Sequence, residues 1–473
     1  MIRFGTGGWR AIIGDEFTKS NIRILAAALA EKIKEENNGE QGLVVGYDRR
    51  FLSVEAAGWV CEVMAGYGIV VRLVKMEAPT PLIMYCVKYY GTRYGLIITA
   101  SHNPAVYNGI KIFTEGGCDA SEEVTSDLER HMERIRDQEI LSMSYEKGVE
   151  AKLIMEINPQ NEYVDSIIRS IDMEAIRARQ LKIVLDPMYG VSKTSLQMIL
   201  STARCRLDVI HERHDALFGG RLPAPTEETL KSLANYVAEN QFDLGIATDG
   251  DADRVGIIDN KGNFLHPNKI LVLLYYYLLK YKKWTGPVVR NIATTHLLDR
   301  IAEVYGEVCY ETPVGFKHIS SRMEETGAII GGESSGGLTV RGHIRGKDGI
   351  YASALLVEMM AVTGKELPDI YGEITHEFGE FHMEERDYRF SENKKTQVMK
   401  RLLEDRELPE FEDEIRHVSY MDGCKVYFKN DGWIIARFSG TEPLLRVFCE
   451  MENIAKASKN CLLMEEFLRV GED

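Results

Sequence analysis

Three times along the chain an apolar run stops abruptly in a loop of small polar residues: LIITASHNP at 96–104, FDLGIATDGDADR at 242–254 and GAIIGGESSGG at 327–337. Other apolar runs, GLVVGYDRR at 42–50, LKIVLDP at 181–187 and PVVRNIATTH at 287–296, read as buried strands. Between them lie segments with apolar residues at helical spacing, such as 20–36, 55–66 and 227–240. Strands alternating with helices predict α/β layering in three successive blocks. Open α/β sheets bind ligands just beyond the carboxyl ends of their strands. Three such loops, one per block, predict a single site assembled between three domains.

The final ~90 residues differ. DGWIIARF and LLRVFCE flank SGTEP, and a helix is expected from about Ala455, an α+β pattern. Linkers are expected near Asn158-Pro159 and in the acidic, aromatic-rich stretch at 373–389.

Each loop suggests its own chemistry. In TDGDADR, the side chains of Asp249, Asp251 and Asp253 would share one side of an extended loop, with Gly250 and Ala252 out of the way. Three hard oxygen ligands on one face suit Mg²⁺. An EF-hand is excluded, because it needs glycine at loop position 6 and glutamate at 12, where this chain has Arg254 and Asn260. Ser101 alone reads as a turn or N-cap serine before Pro104. A facing metal loop would give it another use, since the cation would stabilise a phosphoryl group carried on its oxygen. His102 and Lys111 are the nearby proton-transfer candidates, a desolvated lysine being able to fall in pKa far enough to act as a base.

GGESSGG offers Glu333 and the hydroxyls of Ser334 and Ser335 on a loop open to close approach, suited to vicinal sugar hydroxyls. RFSGTEPLLR brings Arg437, Ser439, Gly440, Thr441 and Arg446 into what reads as a phosphate cradle, without the G-K-[ST] of a Walker loop. FGTGGWR, ending in Arg10, lacks the dinucleotide fingerprint G-x-G-x-x-G.

The bulk composition excludes more than it names. A net charge of -15 argues against general nucleic-acid binding. No run approaches the ~20 apolar residues that span a bilayer, so no membrane partner is expected. MIRFGTGGWR has no signal-peptide core, which makes the cytoplasm the expected address. Eight scattered cysteines with no C-x-x-C pair fit reduced, packed thiols.

Taken together, FGTGGWR, TASHNPAVYNGIK, DGDADR, GGESSGG and RFSGTEPLLR, in that order, resemble the α-D-phosphohexomutase family of phosphoglucomutases, phosphomannomutases and phosphoglucosamine mutases. The resemblance implies three similar α/β domains with mixed sheets and a C-terminal α+β domain around a central cleft, here at 1–155, 156–262, 263–380 and 381–473. It implies that Ser101 carries the phosphoryl group and that Asp249, Asp251 and Asp253, with the phosphoserine oxygen, hold Mg²⁺. Arg254 would lie beside them, and Arg10, His102 and Lys111 would assist proton transfer and charge stabilisation. Glu333 and Ser335 would grip sugar hydroxyls, Lys317 in TPVGFKH would recognise the sugar phosphate, and Arg437, Ser439, Gly440, Thr441 and Arg446 would bind the phosphate that is not transferred.

The implied reaction interconverts hexose 1-phosphate and hexose 6-phosphate through a hexose 1,6-bisphosphate, which also serves as activator. Many bacterial phosphomannomutases and phosphoglucosamine mutases carry histidine after GExSG, where this chain has Gly337. That departure argues against an amino sugar and leaves glucose and mannose open, while FGTGGWRAIIGDEFT and the KDG at 347–349, similar to bacterial phosphoglucomutase-type members, point to glucose phosphate, with mannose phosphate next. Glucosamine or pentose phosphates are the alternatives within the family. A metal-dependent sugar-phosphate phosphatase and a non-catalytic sugar-phosphate sensor are the alternatives outside it.

Overall fold

A computed structural model describes residues 2–5, 7–135, 139–389, 391–438 and 444–470. One four-strand pattern recurs three times. In the first unit the strands are Leu43–Tyr47, Val71–Val74, Tyr94–Ile98 and Tyr107–Thr114. The second has Lys182–Asp186, Arg206–Val209, Leu244–Thr248 and Val255–Ile258, and the third Val288–Asn291, Cys309–Thr312, Ile330–Gly332 and Leu338–Val340. In each unit the first strand lies between the second and third, parallel to both, and the fourth pairs antiparallel with the third.

The three loops singled out in the sequence are therefore equivalent. Each connects the third strand to its antiparallel neighbour. An apolar run buried on both faces gives the third strand its hydrophobic continuity.

The first sheet is extended at one edge by Trp9–Ile12, antiparallel to Tyr107–Thr114, and at the other by Ile154–Ile157, parallel to Val71–Val74. Residues 156 and 157 thus lie in the first sheet. The fourth unit is an antiparallel sheet in the order His382–Arg389, Leu444–Met451, Trp433–Phe438, Cys424–Phe428, Ile415–Ser419, with the helix Ile454–Leu468 packed on it. The stretch 373–389, expected as a linker, is the end of the helix Leu367–Phe378 and the edge strand His382–Arg389. Its charges belong to a strand with one open side, which tolerates them.

One hydrophobic core runs from Val44 of the first unit through the second to Phe381. Two helices at its centre, Pro267–Lys280 and Gly349–Thr363, are apolar nearly all round, as helices without a solvent face must be. No described helix is long and apolar enough to cross a membrane. The fourth unit has its own core, built on Val426, Ile434, Val447 and Met464.

Candidate active site

Ser101 sits at the mouth of the first unit's hairpin with φ +52°, a left-handed conformation that costs a β-carbon residue roughly 1–3 kcal/mol. Its surroundings hold it there. The Ser101 amide donates to Thr99 Oγ1 at 2.9 Å, and Thr99 Oγ1 donates to Asp48 Oδ2 at 2.6 Å. Arg50 donates to the carbonyl oxygens of Ser101, Asn103, Pro104 and Tyr107 at 2.6–3.0 Å. The Ser101 hydroxyl, nearly inaccessible, donates to Asp249 Oδ2 at 2.8 Å, and His102 Nδ1 lies 3.4 Å from the Ser101 Oγ.

The aspartates converge by a different route from the one the sequence suggests. The loop is a turn, closed by the Ala252 amide on the Asp249 carbonyl, and Ala252 itself is left-handed at φ +62°. Carboxylate oxygens from Asp249, Asp251 and Asp253 come within 4.8 Å of one another, all three residues buried. Asp249 Oδ1 accepts the Arg254 amide, and Asp251 Oδ2 accepts the Thr80 hydroxyl. Asp251 Oδ1 and Asp253 Oδ1 are buried without a hydrogen-bond partner. Burial lifts the Asp249 carboxyl well above its ordinary pKa, and Asp251 and Asp253 add to the effect. Two orphaned hard oxygens in a buried acidic triad fit a divalent cation such as Mg²⁺.

Lys111 lies against the triad. Burial alone would lower its pKa, but its ammonium donates to Asp251 Oδ2 at 2.6 Å and Asp253 Oδ2 at 2.7 Å, and these carboxylates raise it above the usual lysine value. The geometry sets the Lys111 ammonium between two carboxylates of the triad. Lys347 approaches the same triad from the third unit, 3.2 Å from Asp253 Oδ2.

Arg10, on the strand Trp9–Ile12, donates to Asn103 Oδ1 at 2.9 Å. Burial and the nearby Arg254 lower its pKa. Arg254 and burial likewise hold the His102 imidazole well below its usual value. The Nε atoms of Arg10 and Arg254 are buried and unpartnered. Such mutually repelling cations around a serine hydroxyl make a place for an anion.

The third loop anchors its carboxylate. Glu333 Oε1 accepts the Gly315 amide at 3.2 Å and Oε2 accepts the Ser335 hydroxyl at 3.3 Å. Lys317, one residue into the following helix, pairs with Glu122 of the first unit at 2.5 Å. Glu333, Ser335, Arg437 and Arg446 line one small cavity between the third and fourth units. Ser439, Gly440 and Thr441 lie outside the described residues.

Several contributors are absent from the sequence argument. Arg50 and Asp48, at the end of GLVVGYDRR, clamp the serine loop, and the signal available was a charged cluster closing a buried strand. Thr80 is drawn in through both its amide, on the Asp251 carbonyl, and its hydroxyl. Lys347 fills the space beside Gly337, where an added β-carbon would lie 2.2 Å from Lys347 Cδ.

Comparison with known proteins matches all four units. The phosphoglucomutase/phosphomannomutase α/β/α domains I, II and III match residues 1–139, 161–262 and 266–378, and the C-terminal domain of the same family matches 389–461. A phosphoglucomutase/phosphomannomutase of Thermococcus kodakarensis is 30% identical over 99% of this chain and 97% of its own length. A phosphoglucosamine/phosphogalactosamine mutase of Sulfurisphaera tokodaii is 28% identical over 96% of each chain. The crystal structure of a candidate phosphomannomutase from Thermus thermophilus superposes with a TM-score of 0.86 at 29% identity, covering 99% of both chains. With all four domain types matched in order along its length, the chain belongs to the α-D-phosphohexomutase family of isomerases.

Proposed function

We propose that this protein interconverts hexose 1-phosphate and hexose 6-phosphate by way of a phosphorylated Ser101, with glucose phosphate the preferred substrate and mannose phosphate the next. The observation that carries this reading is the Ser101 hydroxyl 2.8 Å from Asp249, within a buried acidic triad that has two unpartnered oxygens. A serine oxygen is a poor nucleophile by itself and a poor phosphoryl carrier unless the transferred charge is neutralised.

Asp249, Asp251 and Asp253 would hold Mg²⁺, which when bound supplies electrostatic stabilisation to phosphoryl oxygens. Arg10 and Arg254 meet the equatorial charge of the group in transit, and Lys111 balances the triad. His102, held neutral and 3.4 Å from the serine oxygen, is a proton acceptor beside the reaction. Glu333 and Ser335 grip sugar hydroxyls, while Lys317, Arg437 and Arg446, with Ser439, Gly440 and Thr441, bind the phosphate that stays. The phosphoryl group passes from Ser101 to the free hydroxyl of the substrate, giving a hexose 1,6-bisphosphate. After reorientation in the cleft, the serine takes back the other phosphate. The same bisphosphate primes an unphosphorylated enzyme.

Gly337, with Lys347 in the space beside it, supports glucose over amino sugars. The name carried by the Sulfurisphaera relative favours a second reading, glucosamine phosphate. Rates on glucose 1-phosphate, mannose 1-phosphate and glucosamine 1-phosphate, with Mg²⁺ and bisphosphate, separate the two. Fastest turnover of glucosamine 1-phosphate would replace the first by the second. Release of inorganic phosphate in place of hexose 6-phosphate would overturn both in favour of a phosphatase.

A further inference from the structure

Asp422 stands in the turn before the strand Cys424–Phe428, where the third and fourth units meet. Its Oδ2 accepts two donors, the Val314 amide at 2.9 Å and Arg437 Nε at 2.9 Å. Both side chains of the ion pair are about four-fifths buried, at 19% and 22% exposure, so the pair is shielded from much of the screening that weakens surface pairs.

The two bonds join different parts of the site. On one side is Arg437, which faces Arg446 directly across the sheet. Like charges in that position repel, and both arginines line the cavity shared with Glu333 and Ser335. An isolated Arg437 would swing away from Arg446 unless something else held it. On the other side is Val314, whose neighbour Gly315 donates to Glu333 Oε1, while Glu333 Oε2 accepts from Ser335. Hydrogen bonds joined through the Val314–Gly315 backbone therefore link the arginine of the fourth unit to the carboxylate and hydroxyl of the third.

We propose that Asp422 is a positioning residue, one that aims Arg437 at the substrate's stationary phosphate and ties that aim to the loop bearing Gly315, Lys317 and Glu333. By engaging the guanidinium at Nε, it directs the terminal nitrogens to meet phosphate oxygens, the edge suited to a two-pronged contact. It also makes capture of the phosphate dependent on the docking of the fourth unit against residue 314. The inference rests on the mutase reading for the identity of the ligand, a hexose monophosphate.

The test compares Asp422→Asn, Arg437→Ala and the double variant, reading KM and kcat for hexose 1-phosphate together with melting temperature. Asp422→Asn keeps an acceptor for the Val314 amide and removes the charge that holds Arg437. KM should rise about tenfold with kcat changed less than about threefold, the signature of lost substrate binding. Arg437→Ala should raise KM at least as far, and adding Asp422→Asn to it should change KM little further, because the two act as a unit. Asp422→Glu should recover part of the affinity.

An unchanged KM in Asp422→Asn would overturn the proposal. So would effects that multiply in the double variant, or a fall in melting temperature with neither KM nor binding altered. If the wild-type protein turned over no hexose monophosphate, the mutase reading would fall. Titration calorimetry with glucose 6-phosphate would then decide Asp422 separately: weaker binding by Asp422→Asn supports the positioning role, and equal binding overturns it.

Discussion

The Arg50 guanidinium donates to the Ser101 carbonyl oxygen at 2.6 Å, inside a protein core where both residues are nearly inaccessible. Three more carbonyls of the same loop accept from it, and Asp48 stands 3.4 Å from its Nε. The left-handed backbone at Ser101 is thus imposed by a side chain from another strand end. Arg50→Met should remove the four hydrogen bonds to these carbonyls and the buried charge partner of Asp48, costing about 3–5 kcal/mol. Thermal unfolding should show a lower melting temperature, and Arg50→Lys, which cannot reach four acceptors from a planar fork, should retain less than about a tenth of wild-type kcat.

Ser101→Ala should abolish labelling of the protein by radioactive hexose 1,6-bisphosphate and reduce mutase turnover by at least about a thousandfold. Retained labelling would instead point to an aspartate as the carrier.

Chelation should remove turnover, and Mg²⁺ should restore it. Asp251→Asn should weaken Mn²⁺ binding, followed by electron paramagnetic resonance, by at least about tenfold, since one of the orphaned hard oxygens belongs to that residue. The same variant loses one carboxylate bound by Lys111.

Gly337→Ala places a β-carbon 2.2 Å from Lys347 Cδ. The lysine stem must shift, drawing its ammonium from the 3.2 Å contact with Asp253. Activity should fall about tenfold or more, while the melting temperature changes little, because a long flexible chain can relocate. Gly337→His should displace it further.

Lys425 provides a pH test remote from the reaction. It is buried between Ile292, His296 and Glu311, over the rings of Tyr427 and Trp433. Burial and the nearby Arg290 lower its pKa to about 7. Between there and the ordinary lysine value the unfolded chain binds more protons than the folded one, so stability rises with pH across that window by about 1.4 kcal/mol per unit. Below pH 7 the contribution is flat, with the cost of burying the charge fully present. Lys425→Met should flatten the climb in denaturation midpoint between pH 7 and 9 relative to wild type.

Much of the fold and site is legible in the sequence because the chemistry sits in continuous segments. Ser101 and the three aspartates close apolar runs whose burial is dictated by composition. The mixed character of each sheet is harder to derive from the residues, since Val255–Ile258 and Leu338–Val340 are too short to announce their direction. The surroundings of Lys111 cannot be read locally, because its pKa depends on which carboxylates face it across a domain boundary. Arg50 shows only a charged cluster closing a buried strand, and Thr80 and Asp422 have no local signature at all. Their roles arise from partners 51, 171 and 108 residues away.

The first three units share one apolar core, whereas the fourth is mounted on the third by Asp422, Lys425, Glu311 and Glu450, with Ile292, Trp433 and Ile435 as a small greasy contact. Three walls of the cleft are therefore cast together, and the last is attached mainly by charge and hydrogen bonding. Its attachment should answer to solutes that compete for hydrogen bonds in a way the others do not. A gentle perturbant would loosen the grip on phosphate first and leave the serine and its aspartates assembled.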